Sequence, residues 1–136
     1  MTINNYYTRN YWRSLLVTAV VWVLSLMPVP EMPKLADVPL WDKWTHMVMY
    51  AGLCLTVWFD YWKAHRHSDK WNWPRLLCWG WWVPVLMGGL LELLQAYCTG
   101  GRRSGDWMDF LADAVGATLW LVVGLLLKSL CRVQHK

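Results

Sequence analysis

At 136 residues the chain has the size of one domain; 57% of it is hydrophobic, 16% is charged, and it holds 13 Trp. So many indoles exclude an ordinary soluble domain of this length, and the apolar residues are gathered in runs rather than in amphipathic stripes. The net charge of +4 comes from basic residues at the ends of those runs, a pattern that fits positive-inside membrane topology and argues against nucleic acid as a partner.

In chain order, residues 1–11 are polar and aromatic and read as an interfacial lead-in. The first apolar run, 12–28, ends in MPVPEMP with no small-residue cleavage site, so an uncleaved helix is expected rather than a signal peptide. Pro28, Pro30, Pro33 and Pro39 then forbid regular helix, because each lacks an N–H and restricts its predecessor. Residues 41–62 form the second span, with Trp41 and Trp44 at one end and Trp58 and Trp62 at the other, as two interfaces require. About 20 residues at ~1.5 Å rise cover the ~30 Å hydrocarbon core. A polar loop, 63–72, carries His65 and His67, both expected to be solvated, as is His135 in the tail. The third span is 73–97, with Pro74 in its first turn and a kink expected near Pro84 and Gly88-Gly89. The fourth is 107–130. The expected fold is all-α: one four-helix membrane domain over 1–136.

Cys54, Cys78, Cys98 and Cys131 show neither CxxC nor metal spacing, so no disulfide and no sulfur-based zinc site is expected. Four spans put the N-terminus, the 63–72 loop and the C-terminus on one side. That side holds Arg9, Arg13, Lys63, Arg66, Lys70, Arg75, Lys128, Arg132 and Lys136, against Lys34, Lys43, Arg102 and Arg103 on the other. A nine-to-four split places both termini in the cytoplasm and the 98–106 turn outside.

The charged turn organises the chemistry. Asp106, Asp109 and Asp113 are spaced i, i+3, i+7 and share one helical face; Asp42, His46 and Tyr50, at i, i+4, i+8, share another. Glu92 and Gln95 leave the membrane on the side where Asp42 and Asp109 enter it. Three helices therefore bring Asp42, Lys43, His46, Glu92, Gln95, Arg103, Asp106, Asp109 and Asp113 to one depth in the outer leaflet. An ionisable side chain in the bilayer costs about 2.5–3.5 kcal/mol, so each needs a partner or a water-filled cavity.

DKWTHMVMY, ELLQ and RSGDWMDFLADAVG resemble the DK-x-x-H-x-x-x-Y, E-x-x-Q and R-x-x-D-x-x-D-x-x-x-N-x-x-G blocks of the VanZ-like family. The resemblance assigns Asp42, Lys43, His46 and Tyr50 to the first block, Glu92 and Gln95 to the second, and Arg103, Asp106, Asp109 and Gly116 to the third. Asp113 stands where the family pattern has Asn. The resemblance implies a small integral protein of the bacterial inner membrane, linked through the family's namesake to glycopeptide (teicoplanin) resistance.

Three readings of the cluster follow. It is an ion-pair network that pins helices together. It is a pocket for a lipid-linked or cell-wall headgroup, Lys43 and Arg103 holding phosphate while Asp42, Tyr50, Gln95, Asp106 and Asp113 contact sugar or amide groups. Or it is catalytic, with His46, Glu92 and Asp109 as acid and base, or holding a divalent metal such as Mg²⁺, Mn²⁺ or Zn²⁺, in a hydrolase or transferase acting on a phospho- or glycolipid. Binding is favoured over catalysis, because neither HExxH nor a nucleophile motif is present. Membrane lipids are the expected surroundings.

Overall fold

The computed structural model describes residues 3–27, 41–65, 71–100 and 105–133. Four helices account for nearly all of them: α1 (Ile3–Leu26), α2 (Trp41–His65), α3 (Trp73–Cys98) and α4 (Trp107–Val133), with no strand among the described residues. The proline-rich stretch 28–40, Arg102, Arg103, His67 and His135 lie outside them.

Local chemistry accounts for the helix starts. Asn72 caps α3, its Oδ1 accepting from Arg75 N at 2.9 Å, and Pro74 sits in the first turn, where its missing N–H costs nothing. Asp106 caps α4 in the same way, Oδ1 accepting from Met108 N at 2.9 Å. Three expectations need correction. The polar lead-in is helical from Ile3, with the backbone bent at Tyr11 (φ −118°, ψ 18°), where it meets the apolar run. His65 belongs to α2 rather than to a loop, and its ring stacks on Tyr61 with centroids 4.2 Å apart. The distortion in α3 is a π-helical turn at Cys78–Trp82, ahead of Pro84. Proline at 84 cannot donate to Gly80 and its ring would strike that carbonyl, so the helix widens by one residue before it. Gly88 and Gly89, by contrast, lie in regular helix.

Successive helices run antiparallel. Arg13 and Ser14 near the start of α1 meet Asp60 near the end of α2, and Glu92 late in α3 meets Asp106 at the start of α4. The hub is α2, packed along α4 on one side and α1 on the other. Glycines allow the closest approach: a Cβ on Gly116 would stand 2.2 Å from the carbonyl oxygen of Met47, and one on Gly124 2.5 Å from the Trp58 ring. Apolar contact is completed by Val21, Tyr50 and Leu91, and by Cys54, Val85 and Ala117.

Two helices, α3 and the Trp107–Leu126 part of α4, are long and apolar enough to cross a membrane. With 24 and 25 residues, α1 and α2 have the length, roughly 36–38 Å at ~1.5 Å per residue, but carry more polar side chains. Polar groups also occupy the interior: Ser14, Ser25, His46, Asp60, Glu92, Gln95, Thr99, Asp109 and Asp113 are all buried. Leu111, Val115, Leu119, Val122 and Leu126 form an exposed apolar stripe along α4, and Leu86, Leu90 and Leu93 another on α3.

Candidate functional site

The charged residues converge where α2 and α4 begin and α3 ends. Lys43, one residue after Asp42 on the first turn of α2, donates hydrogen bonds from Nζ to both Asp106 and Asp109. One turn deeper, Nδ1 of His46 lies 2.9 Å from Oδ1 of Asp113, and its Nε2 lies 3.9 Å from Oδ2 of Asp109. Beside an ionised Asp113 the imidazole keeps its hydrogen on Nδ1 and donates it, which leaves Nε2 turned toward Asp109. From α3, Oε2 of Glu92 accepts from the backbone N of Asp106 at 2.8 Å, tying the end of one helix to the start of the next.

The three acidic positions of α4 differ in surroundings because they enter the bundle at different depths. Asp106 is half-exposed at the turn, and the Lys43 ammonium, with the Met108 N–H, holds its carboxyl below the usual carboxylate range. Asp109 and Asp113 are buried. Both oxygens of Asp109 are directed, one at Lys43 and the other at His46. Asp113 is only 1% exposed and sits against α3 because Gly88 has no side chain: a Cβ there would stand 2.6 Å from its Oδ2 and 3.2 Å from the Tyr50 hydroxyl.

Tyr50 is 1% exposed, and its hydroxyl has no hydrogen-bond partner among the described residues. A phenol O–H in that position normally finds an acceptor. Among the described residues two groups of three could hold a metal ion, each with ligand atoms within 4.8 Å of one another: exposed Asp42 with buried His46 and Asp109, and His46, Glu92 and Asp113, all buried.

Of the residues expected at the site, Asp42, Lys43, His46, Tyr50, Glu92, Asp106, Asp109 and Asp113 therefore come together. Gln95 turns elsewhere, its Nε2 donating to the carbonyl of Ser25 at 2.7 Å and anchoring the end of α1. Arg103 lies outside the described residues. Sequence reasoning passed over Ser25, a lone serine at the close of an apolar run, and read Gly88 only as a packing or kink position. At the opposite end Asp60, fully buried, accepts from Arg13 at 3.2 Å and from the N and Oγ of Ser14 at 3.0 and 2.8 Å. Asp60 answers an arginine, as a carboxylate at that end requires.

The chain matches no family model, no curated protein and no solved structure.

Proposed function

We propose that the protein is a VanZ-like, four-span protein of the bacterial cytoplasmic membrane, both termini inside, that recognises the polar part of a lipid-linked or cell-wall component at its outer face. The single observation that carries this reading is the meeting of Lys43, His46, Glu92, Asp106, Asp109 and Asp113 from three helices at one end of the molecule. Pinning helices together takes a few polar residues, as Asp60 with Arg13 and Ser14 shows at the other end, against six here. The membrane part of the reading is supported by an interior lined with buried charge beneath apolar stripes on α3 and α4, the reverse of a soluble domain. The nine-to-four division of basic residues supports the orientation, and the DK-x-x-H, E-x-x-Q and R-x-x-D-x-x-D blocks support the family and the link to glycopeptide resistance.

The test is lipid composition. Protein extracted directly into native-membrane discs should carry an envelope lipid enriched over the bulk membrane, and Glu92→Gln should lose that enrichment while staying folded. Bound lipid that mirrors the bulk membrane in wild-type protein defeats the reading.

A second reading, a hydrolase or transferase acting on a phospho- or glycolipid, is favoured by the His46–Asp113 pair. A carboxylate on Nδ1 orients an imidazole whose other nitrogen serves as a base. Turnover of a membrane lipid by wild-type protein, abolished in His46→Ala, would choose this reading over binding alone.

A further inference from the structure

Charge is unevenly distributed in the cluster. Asp42, Glu92, Asp106, Asp109 and Asp113 bring five carboxylates, against Lys43 and, when protonated, His46. Lys43 is committed to Asp106 and Asp109 at the rim. Facing Glu92 and Asp113 in the interior, His46 is the only basic side chain among the described residues that comes within contact distance. Two buried carboxylates beside a single imidazole leave anionic charge uncompensated in a region that disfavours it.

The Tyr50 hydroxyl is the second, independent sign. It is buried, without a partner among the described residues, and converges with Asp113 Oδ2 on the space left by Gly88, one turn before Glu92 on the same face of α3. A cation there would give the phenol oxygen, a hydrogen-bond acceptor as well as a donor, a bound water or the ion itself to face.

We propose that His46, Glu92 and Asp113 form a binding site for one divalent cation of the Mn²⁺ or Zn²⁺ class, with the Tyr50 hydroxyl directed at the ion's remaining coordination. One imidazole nitrogen and two carboxylate oxygens match the ligand preferences of these ions, and on binding the ring hydrogen that Nδ1 donates to Asp113 passes to Nε2 beside Asp109, which frees Nδ1 to coordinate. The ligand atoms stand within 4.8 Å of one another, against about 3.4 Å between neighbours in a tetrahedral site with ~2.1 Å bonds, so an ion draws the most distant of them together by up to roughly 1.4 Å, a movement that side-chain rotation supplies. The proposal goes beyond headgroup recognition and does not depend on it, since the ion alone is the ligand.

The probe is Mn²⁺ added to the full-length protein after chelator treatment, in lipid discs without other divalent ions. We expect one tightly held Mn²⁺ per chain, a rise in melting temperature, and an electron spin-echo modulation from one coordinated imidazole nitrogen. His46→Gln should abolish the nitrogen modulation, and Glu92→Gln and Asp113→Asn should each weaken binding by about tenfold or more. Tyr50→Phe should retain the nitrogen signal and alter the count of coordinated waters. Should the variants fail to fold, the wild-type spectrum decides alone. Mn²⁺ bound without nitrogen coupling is adventitious and overturns the site, as does the absence of binding at millimolar Mn²⁺.

Discussion

His46 on α2 and Asp113 on α4 are 67 residues apart in sequence and 2.9 Å apart in space, and both side chains are buried. Each is the other's main electrostatic partner, so the two should not be interchangeable under mutation. Asp113→Asn keeps an acceptor for the ring hydrogen and removes a buried charge, and should cost about 1 kcal/mol or less. His46→Ala leaves Asp113 unpaired and should cost about 3–5 kcal/mol. Denaturation of the two variants in the same detergent checks the order, and equal losses would mean that the unpaired Asp113 charge carries no extra cost; the double variant reads the coupling itself.

Lys43 bridges one half-exposed carboxylate and one buried one. Asp106→Asn removes the outer bridge, and because solvent screens that pair its melting temperature should barely move. Lys43→Met strands Asp109 as well and should be several-fold more damaging. Thermal melts of both variants distinguish the contributions.

The Gly116 and Gly52 positions are both helical and should respond with opposite signs. A methyl at Gly116 meets the Met47 carbonyl at 2.2 Å, so Gly116→Ala must push α2 from α4, at roughly 1–3 kcal/mol or more. No described residue lies within 4 Å of the corresponding point on Gly52, so Gly52→Ala should stabilise by up to about 1 kcal/mol through helix propensity. Paired melting curves read both signs at once.

Asp60 serves structure at the end away from the cluster. Asp60→Ala removes the acceptor for Arg13 and for the N and Oγ of Ser14, and should loosen α1. Arg13→Ala removes the counter-charge but leaves the Ser14 N and Oγ donating to the carboxylate, so it should cost less than the ~3–5 kcal/mol of a buried charge stripped of every partner. Proteolysis within α1, together with unchanged Mn²⁺ coordination in whatever fraction stays folded, would confirm that the two ends act separately.

What the sequence determined by itself is local. Apolar runs and Pro74 in a first turn define α2, α3 and α4 to within a few residues, because helix propensity and its breakers act over one or two turns. The i, i+3, i+7 and i, i+4, i+8 spacings likewise predict that α2 and α4 each present a polar face. The helix starts ahead of the apolar run at Ile3, and α2 continues through His65 where a polar loop is expected, because a polar segment continues a helix readily when nothing caps or breaks it.

Only the tertiary structure decided who meets whom. Gln95, grouped with the site by sequence, is taken up by Ser25, and Lys43, a candidate phosphate ligand, is occupied by Asp106 and Asp109. Asp113 reaches His46, and the Tyr50 hydroxyl is left without a partner among the described residues, through a seat that Gly88 opens. These outcomes depend on helix rotation and depth, which are set where Gly116 meets Met47 and Gly124 meets Trp58. Periodicity fixes the face a residue shares with its own helix; close packing between segments distant in sequence fixes what that face touches.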